Sequence, residues 1–90
     1  MNHTKLLIGS LSNDLYRSAC SIQRGSPDVA KRFLQESTKW VNKLKDVEMK
    51  NYINKIIDDL KGVDHAELTM DQAEKYLMYS ILLQNYALHM

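Results

Sequence analysis

Ninety residues, 44% of them hydrophobic and 26% charged, are enough for one small domain with a single core and too few for two. A formal net charge of +1 excludes bulk attraction to nucleic acid or to an anionic membrane as the organising force. Cys20 stands alone, which excludes an internal disulfide and makes a reducing cytoplasm the natural compartment.

The chain opens with Leu6-Leu7-Ile8, an apolar run far too short for a signal-peptide core and led only by Lys5, so no targeting segment is expected. Ile8, Leu11, Leu15, Ala19 and Ile22 then recur at three- and four-residue steps, the signature of one helical face running from about residue 4 to 24. Gly9, Ser10, Ser12 and Ser18 lower the intrinsic helix propensity, so packing must hold this helix together. Gly25 sits where a helix end needs positive φ. Ser26-Pro27-Asp28 supplies an N-cap, a proline at the first helical position and an acid in the first turn. So short a link makes the first two helices an antiparallel hairpin.

The second helix, about 27 to 46, presents Ala30, Phe33, Ser37, Trp40, Leu44 and Val47 as its core face, with Leu34 and Val41 flanking. After Val47 the apolar set becomes Met49, Tyr52, Ile53, Ile56, Ile57 and Leu60, and its direction on a helical wheel turns by well over a right angle. One straight helix cannot aim both sets at one core. A break near Asp46 is expected, with Asp46 capping a third helix over about 47 to 61 that Gly62 closes. Thr69-Met70-Asp71-Gln72 fits a capping box, with Leu68 and Ala73 as a hydrophobic staple, and starts a fourth helix over about 70 to 89. The expected fold is a small all-α, up-and-down four-helix bundle. The alternative is a three-helix bundle in which residues 27 to 61 form one long bent helix.

The fourth helix carries no charge beyond Lys75 and two apolar stripes on nearly opposite sides: Tyr76, Tyr79, Leu83, Tyr86 and Met90, and separately Leu77, Ile81 and Leu88. Its longest apolar stretch, Tyr76 to Leu83, falls well short of a membrane span. Two stripes ask for more cover than three single-faced partners give. The first stripe holds three of the five tyrosines, a residue type enriched where proteins meet, and is the expected seam of a homodimer or larger homo-oligomer. The other possibility is that both stripes are buried within one chain, with the last helix central.

Nucleic-acid binding is the competing reading. Arg32, Lys39, Lys43 and Lys50 fall close together on a wheel, with Arg24 and Lys31 near the helix start, and such a stripe can lie along phosphates. Against it, Glu36 is placed to pair with Arg32 and Lys39, and Trp40 is expected to face the core. Residues 1 to 46 carry eight Lys or Arg against four acids, +4, whereas residues 47 to 90 carry four against seven, −3, so opposite ends can attract.

Catalytic signatures are scarce. Asp58, Asp59, Asp64, His65 and Glu67 gather oxygen ligands and one imidazole, but they match no EF-hand spacing and read first as a solvated acidic loop. His3 and His89 lie near the termini, no serine of the first helix has a histidine near it in sequence, and the three glycines stand singly. Cys20 reads as a small apolar residue. A non-catalytic module without a cofactor is expected, a helical protein that associates with itself or with another protein.

Overall fold

The computed structural model describes residues 3–61 and 68–90. Four helices follow one another: α1 (His3–Gln23), α2 (Pro27–Leu44), α3 (Asn51–Lys61) and α4 (Met70–Leu88). No strand occurs among the described residues. The chain is an all-α bundle, and its neighbours run up and down. Residue pairings show the antiparallel sense at three edges: Arg17 lies beside Phe33, Tyr52 beside Tyr86, and Leu6 and Gly9 line one recess with Ala87 and Leu88. The diagonals α1–α3 and α2–α4 make no close backbone approach.

The helix boundaries follow local chemistry. Gly25 adopts φ +76°, and the amides of Gly25 and Ser26 reach back to the carbonyls of Ile22 and Ser21 at 3.0 and 2.8 Å, a Schellman closure that only a residue tolerant of positive φ permits. Pro27 then opens α2, while Ser26 makes no side-chain capping bond. At α4 the capping box is complete: Thr69 Oγ1 accepts from the Gln72 amide and the Thr69 amide donates to Gln72 Oε1, both at 3.2 Å. Leu68, ahead of it, packs on the core.

The expected break between the second and third helices exists, which removes the long bent helix, but its chemistry differs from expectation. α2 ends at Leu44, and residues 45–50 leave the helix before α3 starts at Asn51. Asp46 is therefore not a cap. The carbonyl of Lys50 receives the Ile53 and Asn54 amides at 3.0 Å, and the Asn54 side chain ties back to the Met49 carbonyl at 2.9 Å. Six residues of link let the apolar direction turn.

α1 is the central helix, packed along both α2 and α4, whereas α3 touches α2 and α4 sparingly. Its serines explain how. Ser12 and Ser18 are buried with Ile8, Leu11, Leu15, Ala19 and Ile22. Ser12 Oγ donates across to the Ser80 carbonyl at 2.8 Å, while Ser18 and Ser21 satisfy themselves on carbonyls of their own helix. Small side chains let two neighbours approach one rod.

On α2 the buried positions are Ala30, Leu34, Ser37, Val41 and Leu44, so the core face is turned away from the expected Phe33–Trp40 line. Both aromatic rings sit half-buried at the α1–α2 rim. Bulk suggested the centre, but an indole N–H needs a partner, and the rim supplies one in Asp14. α3 contributes Ile53, Ile56, Ile57 and Leu60 to the core.

Candidate interaction surface on the fourth helix

Which side of α4 faces inward is set by its small residues. Ala73, Ser80 and Ala87 fall on one line with Tyr76 and Leu83, and these five positions are the buried ones. The expected seam is thereby corrected. Tyr76 and Leu83 have no exposed surface at all. Tyr79 turns to α3, where its hydroxyl donates to Asp59 Oδ2 at 2.6 Å. Tyr86 meets the Tyr52 ring edge-on, centroids 6.2 Å apart and planes at 89°. Only Met90 of that stripe stays exposed. The stripe is a core and a rim, most of it used against α1 and α3 within the chain.

The uncovered flank is the other one. Met70, Met78, Ile81 and Leu88 are 56%, 52%, 53% and 64% exposed, with Leu77 and Leu82 half-buried among them. Leu77, Met78, Ile81, Leu82 and Glu74 line a shallow recess of about 280 Å³. At the helix end, Leu88 and Gln84 join Lys5, Leu6, Gly9 and Ser10 around a second recess of about 370 Å³ between α4 and α1, and Leu6 is itself exposed. Charges are confined to the two ends of this flank. Asp71 and Glu74 are exposed near its start, His89 and Lys5 near its finish.

The polar groups of the interior hold helices together. Asp59 Oδ2 receives both the Tyr79 hydroxyl and Lys75 Nζ, the latter at 2.9 Å, and these two hydrogen bonds keep its carboxyl below the usual carboxylate range. Lys75 also lies over the Tyr79 ring, 5.8 Å from its centroid. Burial, then the Asp59 carboxylate, pushes the Tyr79 and Tyr76 hydroxyls up to about 12. The Tyr76 hydroxyl is buried with no hydrogen-bond partner, a cost tolerated because its ring fills the core. Of the acidic cluster singled out in the sequence, Asp59 is thus a structural tie and Asp58 pairs with Lys61 at 3.2 Å. Asp64, His65 and Glu67 lie outside the described residues. Among the described residues no group of three metal-ligating side chains comes together.

At the opposite side of the molecule, Trp40 Nε1 donates to Asp14 Oδ2 at 2.8 Å, Lys43 Nζ stands 5.5 Å from the Trp40 ring, and Arg17 stands 5.7 Å from the Phe33 ring. Burial raises the Asp14 carboxyl, opposed by the Trp40 bond. Arg32, Lys39 and Lys43 are exposed on α2 as expected. Lys50 does not extend their stripe, because the chain leaves the helix after Leu44; it borders a cleft with Tyr52, Tyr86 and His89 instead. Glu36 forms no ion pair with Arg32 or Lys39 and acts on Asp14 by repulsion. No helix among the described residues is long and apolar enough to cross a membrane. No family model, no curated protein and no solved structure matches this chain.

Proposed function

We propose that this chain is a small non-catalytic helical interaction module of the cytoplasm that associates with a second copy of itself through the outward flank of α4. The observation that carries it is the line of Met70, Met78, Ile81 and Leu88, four apolar positions on one helix that are each more than half exposed among the described residues, with Leu77 half-buried beside them. The non-catalytic part rests on where the reactive groups are used: Asp14 holds Trp40, Asp59 holds Tyr79 and Lys75, and the buried serines bond to carbonyls. Sedimentation equilibrium is the test. Met78→Glu combined with Ile81→Glu gives a monomer with unchanged helicity, because a buried carboxylate facing an apolar partner costs several kcal/mol while both side chains are more than half exposed in the monomer. The same mass for parent and variant defeats the reading.

A second reading, nucleic-acid association along Arg32, Lys39 and Lys43, gains from the half-exposed Trp40 ring beside Lys43, since a strand's bases stack on such rings. Asp14 and Glu36 share that rim and repel phosphate. A mobility-shift series in salt separates the two: retention at low ionic strength that vanishes as salt rises supports this reading, and no retention ends it.

A further inference from the structure

The outward flank of α4 has a direction, and this bears on how a second copy sits on it. Apolar positions occupy its length, with acids at the start alone: Asp71 and Glu74 lie on the first turns, whereas the finish is bordered by His89 and by Lys5 of α1, which has an interaction within the chain. Lys75, the only cation within α4, is turned to α3 and held by Asp59, so it does not offset the acids on the outward side. Nothing of opposite charge breaks the polarity between the two ends.

We infer that two copies of this chain pack their α4 helices antiparallel across a two-fold axis near residue 79, so that Met70 of each copy meets Leu88 of the other and Leu77 meets Ile81. This rests on the self-association proposed above and adds its geometry. Three arguments converge on it. In a parallel pair, Asp71 and Glu74 of both copies would stand together at one end, where like charges repel; in the antiparallel pair the two sets of acids stand at opposite ends. The macrodipoles of two antiparallel helices offset one another, whereas parallel ones add.

The third argument is area. Met70, Met78, Ile81, Leu88 and Leu6, each half or more exposed, leave roughly 500 Å² of apolar surface per copy, the upper range for a monomer's largest patch. Adding the polar rim brings the contact near the ~800 Å² per partner of a standard specific interface. Leu6 and Leu88 border one recess, so the antiparallel arrangement places the partner's Met70 against a pocket that the chain has already formed. An unbranched thioether side chain fills such an irregular gap well.

Cysteine cross-linking in a Cys20→Ser background tests the orientation separately from the association. In the antiparallel pair the two Met70 positions lie ~27 Å apart along the axis, from eighteen residues at ~1.5 Å each, too far for a disulfide. A Met70→Cys chain mixed with a Leu88→Cys chain therefore gives the mixed disulfide dimer as the main oxidised product, and either chain alone stays mostly uncross-linked. Both variants change exposed side chains, and circular dichroism checks that the fold survives.

A dimer in which Met70→Cys cross-links to itself overturns the orientation and leaves the association standing. A protein that is monomeric at every concentration overturns both. So does a monomer whose flank is instead covered by phosphatidylglycerol vesicles, or a dimer that Met78→Glu with Ile81→Glu leaves intact.

Discussion

α1 and α4 were given opposite amounts of cover for their composition. α1 has nine apolar residues in 21 yet buries ten of its side chains, four of them Ser or Asp, because α2 and α4 both lie along it. α4 has twelve apolar residues in 19 and buries five, because only α1 lies close and α3 leans on its other edge. Burial thus follows how near two backbones can come, and small residues set that distance. Apolar content says how much surface wants cover; serine and alanine spacing says where the cover arrives. α4 is left with a flank on which Met70, Met78, Ile81 and Leu88 stay more than half exposed among the described residues, and that surplus is what the functional proposal rests on.

The largest expected effect sharpens this contrast within α4 itself. Leu83→Ala opens a cavity against α1 and lowers stability by about 3–5 kcal/mol, while Ile81→Ala, two residues away, shifts it by about 0.5 kcal/mol or less at concentrations where the chain is monomeric. Urea unfolding reads both. Equal costs would mean that the two flanks are equally covered and would break the comparison. The next effect addresses α1. Ser12→Leu puts four side-chain heavy atoms where serine has two in the α1–α4 contact and removes the bond to the Ser80 carbonyl, for a loss of about 1–3 kcal/mol. Asn85→Leu on the exposed side of α4 costs nothing comparable. If Ser12→Leu stabilises instead, small residues are not what admits the second neighbour.

Much of the frame was legible in the sequence. The hairpin at Gly25-Ser26-Pro27 and the capping box at Thr69–Gln72 depend on a few adjacent residues whose local chemistry has one good solution, and both form as the sequence predicts. The sites were less legible, because they depend on contacts distant in the chain. Trp40 and Phe33 looked central by size; the bond from Trp40 to Asp14, 26 residues away, holds the indole at a rim. Asp46 had the right side chain for a cap, but Met49 and Val47 pack on the core first and delay α3 to Asn51. On α4 both stripes were visible, and the tyrosines drew attention to the one that the chain largely buries against itself. The signal that decides between them, Ala73, Ser80 and Ala87 in line with Tyr76 and Leu83, is in the sequence but carries little hydrophobicity of its own.

The smallest effect compares the two carboxylates that serve α1 and α4. Asp59, exposed enough to be screened, is held below the ordinary carboxylate range by Tyr79 and Lys75, so its contribution to stability is present above about pH 4 and fades as the pH falls through its folded-state value. Asp14 has the opposite sign: burial at the α1–α2 rim raises its carboxyl more than the Trp40 bond lowers it, so the ionised form costs stability at neutral pH and that cost disappears on acidification. Asp59→Asn therefore lowers the stability read by urea at pH 7, by a margin that shrinks as the pH falls below about 4, while Asp14→Asn raises it at pH 7 and converges with the parent at pH 3, each by less than ~1 kcal/mol. Both substitutions keep an acceptor oxygen, for Tyr79 in one case and Trp40 in the other, so the sign difference isolates the charge. Should Asp14→Asn also destabilise at pH 7, the charge-assisted bond to Trp40 outweighs burial, and the rim between α1 and α2 is a polar clasp of the same kind as the one joining α3 to α4.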